Sequence, residues 1–313
     1  MVSCTDTENR TPFTSVEIEP IYSDSISIRA IDIVGNTLRY AANNGVFGNI
    51  DLQTGKVMEA VEKYHTSIPE FRAVAHTSTD FFMLSVGSPA LLYKTGEGGT
   101  MDLMYMEEGE GVFYDAMTFW NDNEGIAIGD SVDGCLSVIV TRDGGHTWKK
   151  NPCAVLPDGI EGEGAFAASN TNIKTIGDKA WVATTKRVLY SPDKGSTWES
   201  YTDHHIDTVG PTAGIYSIDF FDENIGVAFG GDYTEPLDPR NNKSITEDGG
   251  KTWKMIANGN SPGYRSCVQF VPNGNGDGIV ALGFEGIDYS NDMGESWVHL
   301  SDESFYTVRF LND

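Results

Sequence analysis

Short apolar runs alternate with polar turns rich in Gly, Asp and Asn along nearly the whole chain. In one stretch, Val112–Phe119, Gly125–Gly129, Leu136–Thr141 and Thr147–Asn151 read as four successive strands, each ended by turn-forming residues. The same order returns at Tyr216–Phe221, Gly226–Gly230, Lys243–Thr246 and Thr252–Ile256. Thirty-five Gly and a charged fraction of 21% suit many tight turns better than long solvated helices. The pattern predicts an all-β protein assembled from four-stranded units.

Between the third and fourth strands sits a repeated turn. Thr141-Arg-Asp143-Gly-Gly145-His-Thr147-Trp148, Ser191-Pro-Asp193-Lys-Gly195-Ser-Thr197-Trp198, Thr246-Glu-Asp248-Gly-Gly250-Lys-Thr252-Trp253 and Ser290-Asn-Asp292-Met-Gly294-Glu-Ser296-Trp297 all read Ser/Thr-x-Asp-x-Gly-x-Ser/Thr-Trp. Their aspartates stand 50, 55 and 44 residues apart. Degenerate copies occur at Thr95-Gly-Glu97-Gly-Gly99 and Asp51-Leu-Gln-Thr-Gly55, each 46 residues before the next acidic position. The Asp carboxylate accepts N–H groups of its own turn, and Gly supplies a positive φ. The Trp buries a large apolar surface against a neighbouring unit. The turn is a structural staple rather than a catalytic motif.

These segments resemble the Asp-box, or BNR repeat, of sialidase-like β-propellers. The resemblance implies four-stranded antiparallel blades around a central channel, with six full blades over residues 25–300. Val16–Ile21 then reads as an outer strand and Ser304–Leu311 as an inner one. The expectation is a seventh blade built from both termini, with six blades and overhanging ends as the alternative. Phe119-Trp-Asn-Asp-Asn-Glu-Gly125-Ile-Ala-Ile-Gly129-Asp130, Gly162-Glu163-Gly164 and Gly230-Gly231-Asp232-Tyr233 are similar to a bacterial family related to photosystem II stability and assembly factors. Members of that family often carry glycosyl hydrolase or oxidoreductase names by transfer.

The 313 residues include 46 acidic and 21 basic side chains, a net charge of −25. Such a charge repels nucleic-acid backbones and anionic lipid surfaces. No apolar run approaches the roughly 20 residues needed to span a bilayer. Residues 1–11 are expected to form a flexible tether and 12–313 a single propeller domain. Val2-Ser3-Cys4 reads either as the end of a lipoprotein signal, with Cys4 the lipidated residue, or as a chance cysteine in a loose terminus. Cys135 and Cys153 each lie nine residues from Gly144, which places them across a hairpin from one another. They form a disulfide or remain two buried thiols; a disulfide agrees with export to a bacterial periplasm or cell surface.

The longest connections, 129–135, 151–163, 200–214 and 231–243, belong to the face opposite the repeated turns, where a rigid scaffold presents binding loops. The starts of the inner strands bring Arg29, Arg72, Asp115, Tyr216, Arg265 and Tyr306 to about one level. With Asp232 and Tyr233 of the 231–243 loop they make a candidate anion site, since guanidinium groups match carboxylates bidentately. The alternative is that the arginines pair with acidic neighbours and plug the channel. Sialidases place three arginines, a tyrosine and acidic partners similarly. Here Phe71-Arg72-Ala73-Val74 keeps only half of their Phe-Arg-Ile-Pro motif, and the catalytic set is unassigned, with Asp115, Glu163 and Tyr306 the candidates. His204 and His205 with Asp203 and Asp207 read as a solvated loop rather than a metal site. No metal or other cofactor is implied. The reading is a monomeric binding or assembly module for a protein or anionic glycan. The alternative is a sialidase-like glycoside hydrolase or lyase.

Overall fold

The computed structural model describes residues 12–202 and 205–311. The tether with Cys4, and Asp203 and His204 of the proposed solvated loop, lie outside the described residues. Blade 1 consists of β1 (Ile28–Val34), β2 (Thr37–Ala42), β3 (Val46–Asp51) and β4 (Val57–Val61). Blade 2 follows with β5 (Phe71–His76), β6 (Phe81–Ser85), β7 (Ala90–Thr95) and β8 (Met101–Glu107). In blade 3 these are β9 (Tyr114–Phe119), β10 (Gly125–Val132), β11 (Cys135–Thr141) and β12 (Lys149–Lys150). β13 (Ile173–Ile176), β14 (Lys179–Ala183), β15 (Val188–Ser191) and β16 (Glu199–Tyr201) make blade 4. Blade 5 has β17 (Ala213–Phe220), β18 (Gly226–Asp232), β19 (Lys243–Thr246) and β20 (Lys254–Met255). β21 (Cys267–Phe270), β22 (Ile279–Gly283), β23 (Gly286–Ser290) and β24 (Val298–Ser301) complete blade 6. Every blade is an antiparallel meander in chain order.

The expected seventh blade is not formed; the protein is a six-bladed propeller. Inner strands pack side by side in the order β1, β5, β9, β13, β17, β21, but β21 makes no comparable contact with β1. The two terminal stretches occupy that interval. Phe13 lies with its ring 4.7 Å from Tyr289, and Phe310 packs on Val271 and Val280. Tyr22 and Ile26 pack on blade 1. Neither stretch joins a ladder, because the middle strands that would pair with it are not supplied by these residues. The C-terminal backbone bonds elsewhere, with Phe305 N–H donating to Gly283 O and Tyr306 O accepting from Ser266 Oγ.

The repeated turns hold themselves and lock neighbouring blades. Asp143 accepts from Thr147 N–H at 2.8 Å and from Thr147 and Thr141 hydroxyls, and Asp193, Asp248 and Asp292 repeat this network. Trp148, Trp198 and Trp253 are buried and Trp297 is half-buried. Each packs on the preceding blade, Trp148 on Phe82 and Trp297 on Val227 and Phe229. Cys135 and Cys153 are joined by a disulfide with 5.5 Å between their Cα atoms, tying the 151–163 loop to blade 3. No helix among the described residues is long and apolar enough to cross a membrane.

Candidate functional site

Two segments close the channel midway. Residues 165–172 cross the channel before β13 begins. At their centre Asn170 sits at φ 57°, its Oδ1 accepting Met117 N–H and its Nδ2 donating to Val74 O. Ser169 Oγ donates to Ser266 O, and Thr307 Oγ1 of the C-terminal stretch donates to Ser169 O. A cavity remains at each end.

The cavity on the long-loop face, about 370 Å³, brings together several of the residues expected at the channel mouth. Arg29, Arg72, Tyr216, Tyr233 and Tyr306 line it, joined by Phe166, Tyr264 and Phe284. A shared backbone device aims the inner-strand residues. In the first, second, third and fifth inner strands the register slips by one residue at Arg29, Arg72, Asp115 and Tyr216 respectively. Each is the extra residue of a β-bulge, which redirects its side chain. Gly129 and Gly230 permit two of the bulges, since a Cβ there would lie about 2 Å from the Phe113 and Gly214 carbonyl oxygens.

Arg265 does not belong to this ring. In blade 6 Ser266 takes the place beside Cys267, its N–H donating to Leu282 O. A one-residue slip turns a side chain to the other face. Arg265 accordingly points into the blade, 2.5 Å from Asp288, and also donates to Tyr264 O and Glu285 O. Asp232 likewise lies outside the cavity lining, accepting Thr234 N–H and hydroxyl in its own turn. Tyr264 and Phe284 were missed because each depends on that blade-6 register; the adjacent Arg265 masks Tyr264 in sequence.

Of the three catalytic candidates only Tyr306 lines this cavity. Asp115 is fully buried, does not line the cavity, and both its oxygens lack a hydrogen bond of normal geometry. Burial, reinforced by the charge of Asp130, pushes its carboxyl well above the usual range despite relief from Arg72 and the Ala167 N–H. Glu163 is fully buried in a two-point ion pair with Arg187 at 2.8 Å and takes further bonds from Thr184 Oγ1 and Ile160 N–H. Tyr306 lies beneath Arg29, whose Cζ is 4.0 Å from the ring centroid.

What the mouth offers is charge on an aromatic wall. Phe166 stacks on Tyr216 at 3.7 Å, and Tyr264 meets Tyr216 edge-on at 4.7 Å. Arg72 pairs with Glu70 at 2.5 Å. Arg29 has no carboxylate within ion-pair distance among the described residues, and its buried Nε has no hydrogen-bond acceptor. Burial first, then the neighbouring Arg72 charge, lowers its pKa. Two guanidiniums thus stand at the mouth of a strongly acidic protein, Arg72 paired with Glu70 and Arg29 without such a partner among the described residues, while the charge of Asp232 reaches Tyr216.

No family model matches this chain, and no curated protein matches it. Solved structures do. YCF48 bound to D1 peptide superposes with a TM-score of 0.65 at 10% identity, covering 96% of this chain and 91% of that one. YCF48 from Cyanidioschyzon merolae gives 0.56 at 13%, covering 88% and 84%. The WD40 β-propeller domain of Doa1 gives 0.60 at 12%, covering 92% and 87%. They share the fold. At such identities the likeness extends to the propeller and no further.

The opposite cavity, about 570 Å³, has mixed charge, with Asp32, His76, Asp122, Lys174 and Asp219 in its lining. Lys174 pairs with Asp219 at 2.7 Å, and His76 Nδ1 bonds to Asp32. That bond raises the His76 pKa, with burial opposing and the Asp32 charge assisting; Asp122 also raises it and Arg39 lowers it. A His with a raised folded pKa contributes stability that is complete below its unfolded value of about 6.5 and lost as pH rises through the folded value. A proton NMR titration is expected to place His76 above that unfolded value, and Asp32→Asn to bring it down.

Proposed function

We propose that the protein is a binding or assembly module that holds a carboxylate-bearing segment of a protein partner at the Arg29–Arg72 mouth. The observation that carries this reading is Arg29, a half-buried guanidinium beside a second cation with no carboxylate of its own. An anion from a partner would supply the missing pair, and Phe166, Tyr216 and Tyr264 would cover its apolar neighbours. A propeller of this fold solved with a bound peptide supports a protein partner over a glycan. The buried state of Asp115 and the pairing of Glu163 weigh against glycoside hydrolysis. We read the four Trp-bearing turns as Asp boxes of BNR type, and the disulfide supports an exported, oxidising location.

The test compares short acetylated poly-Glu peptides with poly-Gln peptides of equal length by calorimetry. Binding of the Glu peptide alone is expected, and Arg29→Ala with Arg72→Ala should abolish it with little change in melting temperature. Arg265→Ala should instead lower stability, because it leaves buried Asp288 with His299 as its remaining ionisable partner. Equal binding of both peptides, or undiminished binding by the double variant, would sink the proposal.

A further inference from the structure

The slot between blades 1 and 2 differs from the four that follow it. In blades 3 to 6 the pairs Val140–Lys149, Tyr190–Glu199, Ile245–Lys254 and Tyr289–Val298 put a Trp one step on, beside the first residue of the turn. In blade 2 that partner is Met101, paired with Thr95. The turn glycines show the consequence. A Cβ on Gly145 would meet Phe82 at 2.2 Å, on Gly195 Trp120 at 3.5 Å, on Gly250 Trp181 at 3.4 Å and on Gly294 Ile256 at 2.4 Å. At Gly99 nothing lies within 4 Å. A cavity of about 370 Å³ opens there, lined by Phe47, Met58, Phe81 and Met101, with Arg39 and the tyrosine-bonded Glu59 also in its wall.

We propose that this slot receives an aromatic side chain, foremost an indole, from a protein partner, and that Arg39 pairs with a carboxylate adjoining that ring. Four slots of the same propeller hold an indole from the chain itself, and the space beside Met101 adjoins the position where the fold elsewhere seats that ring. Met58 and Met101 line it with flexible thioethers that conform to and contact aromatic rings. Charge complementarity points to the neighbouring carboxylate. Among the described residues none lies within ion-pair distance of Arg39, whose guanidinium is 5.9 Å from the Phe81 ring centroid. Asp32, opposite Arg39 in the sheet, is bonded to His76, and Glu59 accepts the hydroxyls of Tyr22 and Tyr40. On a chain of net charge −25, an unpaired cation beside an aromatic slot selects an acidic-aromatic segment against the general repulsion.

The experiment titrates N-acetyltryptophan and N-acetyltryptophanamide into protein carrying labelled methionine methyls. Both ligands should shift the Met58 and Met101 signals, the free acid binding about threefold more tightly, as a partly exposed ion pair provides. Arg39→Gln should erase that preference while retaining the amide. Met101→Trp fills the slot and should abolish the Met58 response to both ligands; if that variant fails to fold, the wild-type shifts and Arg39→Gln still decide. Unmoved Met58 and Met101 signals at millimolar ligand overturn the proposal. So do equal affinities for acid and amide, or responses lost in Arg29→Ala with Arg72→Ala, which would assign the ligand to the channel mouth.

Discussion

Trp148→Ala is expected to lower the free energy of unfolding by about 3–5 kcal/mol, measured by urea denaturation. The ring is buried between blades 2 and 3, edge-on to Phe119 at 5.8 Å and to Phe82 at 6.5 Å. These partners sit on different sheets, so the cavity left behind cannot close without moving one blade against another. Trp148→Phe should cost markedly less, because the indole N–H is buried without a partner and its loss removes no hydrogen bond. In Trp198 the same N–H donates to Gly195 O at 3.1 Å, so Trp198→Phe should cost more than Trp148→Phe. Equal losses for the two Phe variants would mean that the hydrogen bond contributes nothing, and a loss below 1 kcal/mol for Trp148→Ala would mean that the ring is not an inter-blade lock.

The turns were legible in the sequence because their bonds are local. Asp143 reaches Thr147 four residues on, and such a bond needs those residue types at that spacing wherever the chain goes. The four-strand meander follows for the same reason. Blade number is different. Val16–Ile21 and Ser304–Leu311 have strand-like composition, but whether they enter a ladder depends on backbone partners that no local pattern specifies. At the channel mouth the limit is one residue of register. Arg29, Arg72 and Tyr216 lie on bulges and reach the cavity; Arg265 stands one residue before the equivalent position and turns to Asp288. Period-two alternation makes that slip decisive, and a bulge in one strand cannot be inferred from bulges in others. The partnership of Glu163 with Arg187, 24 residues away, carried no sequence signal at all.

That partnership sets the second large effect. Arg187→Met is expected to destabilise the protein by about 3–5 kcal/mol, because it leaves Glu163 buried and uncompensated. Arg187 makes four hydrogen bonds, two to Glu163, one to Asp158 O at 2.6 Å and one to Ser200 Oγ at 3.1 Å. It therefore fastens the 151–163 loop to blade 4 at a point the disulfide does not reach. The loss should deepen as pH rises, since ionising an unpaired buried carboxylate costs far more than ionising it in the unfolded chain. Arg187→Met combined with Glu163→Leu removes both charges and should recover much of the loss, leaving the missing bonds to Asp158 and Ser200 and those that Thr184 and Ile160 gave to Glu163. Denaturation of the four proteins of this cycle at two pH values separates the outcomes. A double variant no more stable than Arg187→Met, with no dependence on pH, would show that the loop is held by those neutral bonds and not by the ion pair.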